Sequence, residues 1–137
     1  VQDSEISQIL QKIKTIALVG ASDNPSRPSY GVMAYLLAQG YQVTPVSPKL
    51  AGQSLLGQQV VASLADIKHP IDMVDVFRNA DAAYEVAQEA IAVGAKVLWL
   101  QLGVINEQAA VLAKDAGLQV VMDRCPKIEI PRLGLER

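Results

Sequence analysis

Short, continuous apolar runs alternate with amphipathic stretches along this chain, and that alternation sets the expected order of elements. The runs are Ile16–Val19, Val43–Val46, Met73–Val76, Val97–Leu100 and Val120–Met122. Apolar runs of this length without polar alternation mark parallel strands covered on both faces. Between them, apolar positions fall at helical spacing. In residues 30–39, Val32, Tyr35 and Leu36 recur, with Met33 and Leu37 widening the stripe. Ala83, Ala87 and Ile91 line one face of a second helix, with Val86 and Ala90 beside them. Asn79 is placed to cap that helix, with Asp81 at the positive end of its dipole, and Asn106 followed by Glu107 opens a third. Residues 4–12 predict an N-terminal helix, Val60-Val61 a short edge strand, and residues 63–66 a small capped turn. Beyond Pro126 the pattern fades, and Pro131 and Gly134 predict a tail lying on the domain.

One punctuation recurs: a helix, a glycine, two residues, then a valine-led strand, at Gly40–Val43, Gly94–Val97 and Gly117–Val120. Glycine tolerates the left-handed conformation that closes a helix. Three such closures imply three helix–strand units, and short connections between them imply an α/β fold, a three-layer doubly wound parallel sheet. Ligands of such sheets bind outside the carboxyl ends of the strands, at the switch point. The residues to inspect therefore follow Val19, Val46, Val76, Leu100 and Met122.

At 137 residues, the chain holds one domain, its core running from about 14 to 135. A net charge of −2 provides no general attraction to nucleic acid or to an anionic membrane, so any phosphate site must be a local basic cluster. Aromatic residues are too sparse for a platform that stacks single strands. The one cysteine, Cys125, excludes an internal disulfide and a cysteine-rich zinc site. With no signal peptide or membrane-length apolar run, a cytoplasmic location is expected, and Val1 reads as a trimmed start.

The first strand runs into Gly20, Ala21 and Ser22, the usual opening of a dinucleotide fold, but no GxGxxG follows. The loop is longer and rich in proline. It offers a close backbone approach at Gly20, hydroxyls at Ser22, Ser26 and Ser29, a cation at Arg27, and the free amides of a helix starting near Ser29. The plain alternative is an ordinary capped loop; several donors at one strand end favour phosphate. The second strand ends in Ser47, Pro48 and Lys49, where an NAD domain carries an acid for the ribose diol. A cation there points to a phosphorylated ligand, against the commoner fate of lysines as solvated surface residues. Arg78 follows Val76 and Phe77 on the third main strand, and Phe77 reads equally as a cover for a base or as core. Gln101–Gly103 reads as pocket floor or, more simply, as a turn. Cys125 beside Arg124 and Lys127 is a candidate reactive thiol, although buried inert cysteines are the more frequent case. Asp72 and Asp75 are expected to be hydrogen-bonded structural carboxylates, and His69 a surface residue. No spacing supports a metal site, a catalytic triad or a paired-carboxylate site.

Taken in order, Val19–Ser22, Arg27–Tyr30, Val46–Lys49, Leu56-Gly57, Val74–Arg78, Val97–Gly103 and Met122–Lys127 make a specific set. In them the chain resembles the small stand-alone CoA-binding domain proteins and, more distantly, the N-terminal domain of the succinyl-CoA synthetase alpha subunit. The likeness runs from Lys14 to about Leu135. It implies a Rossmann-like fold and coenzyme A, or an acyl-CoA, as ligand. By position, it implies that Gly20, Ala21 and Ser22 meet the pyrophosphate, that Ser47, Pro48 and Lys49 flank the adenosine phosphate, and that Val76, Phe77 and Arg78 border the nucleotide. Arg27, Pro28, Ser29 and Tyr30 belong to the glycine-turn loop. The synthetase's phosphorylated histidine has no match at His69, so ligase activity is not implied.

The expectation is a non-catalytic binder of a small nucleotide ligand, with a homo-oligomer or protein partner left open. An NADP-dependent oxidoreductase module and a regulatory subunit with a vestigial pocket are the alternatives. Because coenzyme A ends in a thiol, a mixed disulfide with Cys125 is chemically open if the side chain faces the ligand.

Overall fold

The apolar runs become one parallel sheet. In the computed structural model, which describes all residues from Val1 to Arg137, helix α1 (Asp3–Lys12) precedes strand β1 (Thr15–Val19). Helix α2 (Pro28–Ala38) leads to β2 (Gln42–Val46), followed by a two-residue hairpin, β3 (Ser54–Leu55) and β4 (Gln58–Gln59). Then come β5 (Met73–Val76), α3 (Ala83–Ala92), β6 (Val97–Leu100), α4 (Glu107–Asp115), β7 (Gln119–Met122) and α5 (Pro126–Arg132). The five long strands are ordered β2-β1-β5-β6-β7, all parallel, so the order reverses between β1 and β5. This is the doubly wound, Rossmann-like arrangement expected from the pattern.

Two apolar layers flank the sheet because successive strand residues point to opposite faces. Ile16, Leu18, Met73 and Trp99 face α1, α2 and α5, where Ile6, Leu10, Met33, Leu36 and Ile130 meet them. Ala17, Val19, Val74, Val76, Leu98 and Leu100 face α3 and α4. The second layer is closed by small residues, Ala83, Ala87 and Ala90 on α3 and Ala109, Ala110 and Ala113 on α4, which let both helices approach the sheet closely. Trp99 is fully buried and donates its indole N–H to the Arg124 carbonyl at 2.9 Å, so its one polar atom is satisfied.

The caps read from the sequence form. Asn79 accepts from the Ala82 amide at the short turn that leads into α3, Asn106 accepts from the Ala109 amide, and Asp66 Oδ2 accepts from the amide and hydroxyl of Ser63 at 3.1 and 3.0 Å. The glycines after α2, α3 and α4 all take positive φ. No helix is long and apolar enough to cross a membrane.

The structure corrects several expectations. The region after Pro126 is the helix α5, not an irregular tail. Pro126 stands at its first position, where no amide is needed, and Pro131 falls in the last turn, so the helix loses only one internal bond. Arg132 anchors it, pairing with Asp3 of α1 at 2.8 Å and with Glu129 at 2.9 Å. Val60-Val61 is reduced to one bridge between Val46 and Val61, and the hairpin at Leu56-Gly57 carries the local pairing instead. Leu56 and Gly57 both have positive φ, the backbone of a tight two-residue hairpin turn. Tyr35 and Ile91 are only half-buried; the Tyr35 hydroxyl donates to Glu136 at 2.7 Å.

Candidate functional site

Gly20 ends β1 at the point where strand order reverses. Its φ is +91°, and a Cβ there would run into the carbonyl oxygen of Phe77, just past the end of the neighbouring β5. Glycine is therefore required by the fold itself, for backbone conformation and for the close approach of two strand exits. The amides of Gly20 and Ala21 both donate to the Val46 carbonyl, at 3.1 and 3.2 Å. They continue the β1–β2 ladder and are not free donors, so what this junction offers a ligand is an uncovered surface with no side chain.

Beyond it, the loop is ordered by its own side chains. The Ser22 hydroxyl accepts from the Asn24 amide at 3.1 Å, and Asn24 Oδ1 accepts from the amide and hydroxyl of Ser26 at 3.0 and 2.8 Å. Ser26 is thus occupied within the loop. Arg27 occupies the cap position of α2, where no side chain satisfies the first-turn amides. Pro28 has no N–H and the Tyr30 amide donates to the Arg27 carbonyl at 3.1 Å, so the Ser29 amide, the positive dipole and the exposed Arg27 guanidinium coincide there.

Two hollows open over the carboxyl ends of the strands. One, of about 410 Å³, lies between α2's start, Phe77, Arg78 and the β6 exit at Gln101, Leu102 and Val104. The other, of about 650 Å³, lies between Ser47, Pro48 and Lys49 after β2, the Ala62–Leu64 turn, and Glu85, Val86 and Glu89 of α3. Gly20, Phe77 and Arg78 line both, so the two are lobes of one elongated cleft. Arg27, Lys49 and Arg78 are exposed, and none takes part in the ion pairs of the molecule, which use Lys96, Arg124 and Arg132. Ser47 is buried, and its hydroxyl accepts from the Leu50 amide at 3.3 Å, shaping the turn that carries Lys49.

Most of the residues singled out in the sequence therefore meet in one place: Gly20, Ser22, Arg27, Pro28, Ser29, Phe77 and Arg78 in the first lobe, and Ala21, Ser47, Pro48 and Lys49 in the second. Val76 and Tyr30 line neither. Strand alternation turns Val76 into the core beneath α3, where it is fully buried, and Tyr30 packs against the opposite core layer. Cys125 is also core, packed in the α1/α2/α5 layer and lining neither lobe, so its thiol is not presented to the cleft. His69 lies before β5, at the far end of the strands. No cluster of His, Cys, Asp or Glu could hold a metal ion.

The structure adds residues that the sequence did not single out. Glu85 and Glu89, one helical turn apart, bring two carboxylates to the second lobe. Asp123 adopts a left-handed φ of +61° and accepts from the Gly103 amide at 2.8 Å, which ties the β6 exit to the β7 exit. A positive φ at a non-glycine residue has no sequence signature here. The two aspartates of the β5 region diverge. Burial raises the Asp72 carboxyl, but bonds from the Lys14 and Thr15 amides and the nearby Lys96 ammonium outweigh it and leave it below its ordinary value. Asp75 has no hydrogen-bond partner, and burial holds its carboxyl well above the usual carboxylate range. The expectation of a bonded structural carboxylate is met at Asp72 and overturned at Asp75.

A family model described as a CoA binding domain matches residues 14–131. An uncharacterised Bacillus subtilis (strain 168) protein, YneT, is 42% identical over 125 residues, 91% of either chain. A structure of cell-free ID.343 from Thermus thermophilus superposes with a TM-score of 0.92 at 42% identity, over 97% of this chain and 99% of that one. At 21% identity, part of a dinucleotide-forming acetyl-coenzyme A synthetase from Ca. Korarchaeum cryptofilum shares the fold, with a TM-score of 0.72 over 85% of this chain and 27% of that one.

Proposed function

The chain belongs to the CoA binding domain family, and from that premise we propose that it binds coenzyme A, free or acylated, across the carboxyl ends of its strands and performs no chemistry of its own. The observation that carries this reading is the shape of the cleft. Two lobes joined over Gly20, Phe77 and Arg78 suit a ligand with a compact nucleotide at one end and a long arm at the other. A round pocket would suit neither part.

The charges support one direction for the ligand. Lys49 meets the adenosine phosphate in the second lobe, while Arg78 and the Arg27 end of α2 flank the pyrophosphate near the shared wall. Charge-assisted bonds of this kind are the strong ones, and three unpaired cations lose no existing partner on binding. Glu85 and Glu89 repel phosphate from the α3 rim and accept bonds from hydroxyl or amino groups of the nucleoside. The arm then follows the first lobe past Ser29 towards Gln101, Leu102 and Val104.

Calorimetry with coenzyme A, dephospho-coenzyme A, NAD and NADP tests the assignment. Coenzyme A is expected to bind tightest, with dephospho-coenzyme A weaker because it lacks the phosphate assigned to Lys49. Equal or tighter binding of NADP overturns the proposal in favour of a dinucleotide module.

A further inference from the structure

Three buried side-chain atoms in the molecule lack a hydrogen-bond partner: both carboxylate oxygens of Asp75 and Oε1 of Gln101. Buried polar atoms are nearly always paired, so the concentration of all three in two residues calls for a physical account. The two residues share a face of the sheet. Asp75 is in register with Leu18 on one side and Trp99 on the other, and both of these belong to the α1/α2/α5 layer. Gln101 follows Trp99 by two residues, so alternation returns it to that same face. Its amide donates to the Val76 carbonyl at 3.2 Å, which carries the β5–β6 ladder one step beyond the strands. Asp75 and Gln101 are therefore diagonal neighbours on adjacent strands, a separation that a long side chain spans.

As an anion Asp75 has only acceptors, as does Gln101 Oε1, and the two atoms cannot satisfy each other. A protonated carboxyl has one O–H donor. Burial alone disfavours the charged form of Asp75; the charged groups on the covering elements, Asp3, Glu5 and Lys12 on α1, Arg27 before α2, and Lys127, Glu129 and Arg132 on α5, are not among the causes. One proton thus resolves two of the three orphans.

We propose that the Asp75 carboxyl donates its O–H to Gln101 Oε1 and so holds the carboxamide with Nε2 turned into the first lobe, where it donates to a carbonyl oxygen of the ligand. Gln101 is the residue that reads the ligand, and Asp75 is a positioning residue behind it. Oε1 is the end that is buried without a partner, and Gln101 lines the lobe, which leaves the nitrogen to face the ligand. The identity of that carbonyl, an amide or thioester of the pantetheine arm, rests on the coenzyme A reading; the Asp75–Gln101 bond does not.

Infrared difference spectra of wild type against Asp75→Asn, recorded without ligand at a pH where exposed carboxylates are ionised, read the bond directly. A carboxylic-acid carbonyl band assigned to Asp75 is expected, and it shifts when Gln101→Leu removes the acceptor. Absence of the band, or a band unmoved by Gln101→Leu, overturns the bond. In coenzyme A titrations, Asp75→Asn keeps a donor and binds within about two-fold of wild type, while Asp75→Leu and Gln101→Leu each weaken binding about ten-fold. The double leucine variant is no weaker than either single one; fully additive losses overturn the coupling. If Asp75→Leu does not fold, failure of Asp75→Asn to retain affinity overturns it instead. A wild type that binds no coenzyme A removes the ligand contact and the function proposed above, while the infrared result still decides the bond.

Discussion

The two ends of the sheet handle polar groups in opposite ways. At the amino ends Asp72 accepts from the amides of Lys14 and Thr15 at 2.8 and 3.2 Å and pairs with Lys96 at 3.6 Å, while its own amide donates to the Thr15 hydroxyl. One carboxylate there ties β1, β5 and the start of β6 together, and both of its oxygens have partners. At the carboxyl ends, three cations stand unpaired, α2 begins without a side-chain cap, Gly20 holds a conformation closed to other residues, and Asp75 and Gln101 keep buried polar atoms without partners. The same strands end twice with the same backbone chemistry. At the amino ends a carboxylate is held by amides of this chain, whereas at the carboxyl ends Arg27, Lys49 and Arg78 line the cleft without an ion-pair partner, as the proposed binding of a phosphorylated ligand requires.

The sharpest way to break this contrast is at Gly20. Gly20→Val sets a branched side chain at positive φ against the Phe77 carbonyl, and conformational strain and overpacking together are expected to cost at least about 3 kcal/mol. A chemical denaturation midpoint close to wild type would show that the junction relaxes, and would leave Gly20 available as a test of binding alone.

Removing a cation probes binding without stability. Lys49→Ala and Arg78→Ala are each expected to weaken coenzyme A by about 1–3 kcal/mol in calorimetry, with unfolding midpoints unchanged. Dephospho-coenzyme A should be indifferent to the Lys49 change and sensitive to the Arg78 change. Equal losses for both ligands in Lys49→Ala would move the ribose phosphate to another cation.

At the opposite end the effect falls on stability. Asp72→Asn is expected to cost about 1–2 kcal/mol at neutral pH through weaker bonds to the Lys14 and Thr15 amides. The folded carboxyl titrates below its ordinary value, so its contribution is complete above the unfolded range and is lost as pH falls through the folded pKa. Wild type and Asp72→Asn should therefore converge in stability at low pH. A constant gap would assign the effect to packing.

Asp75 carries the opposite sign and the smallest expected effect. Its folded pKa is raised, so the folded chain holds a proton that the unfolded chain has released, and stability falls as pH rises above the ordinary carboxylate range. Asp75→Asn cannot ionise and should flatten that fall, leaving the variant at least as stable as wild type at neutral pH. Urea midpoints across the pH range decide it, and parallel pH profiles for the two proteins would show that Asp75 does not titrate in the folded state.

Much of this molecule was written in its sequence. The five apolar runs, the glycines closing α2, α3 and α4, and the caps Asn79 and Asn106 are local signals, and each became the expected element. Alternating strands and helices with short connections implied a doubly wound parallel sheet, and with it the edge on which Gly20, Lys49 and Arg78 meet. Helix α5 was hidden because two prolines signal a break locally, while the packing that holds Pro126–Arg132, with Ile130 in the core and Arg132 on Asp3, comes from α1 and α2 at the other end of the chain. The tertiary structure alone decided which way side chains at the switch point turn: Val76 and Cys125 into the core, Glu85 and Glu89 into the cleft, and Asp75 into a layer with no partner for its charge. Periodicity reports which positions are apolar. Burial of a polar group depends on what packs over it from distant segments, and so does its protonation state.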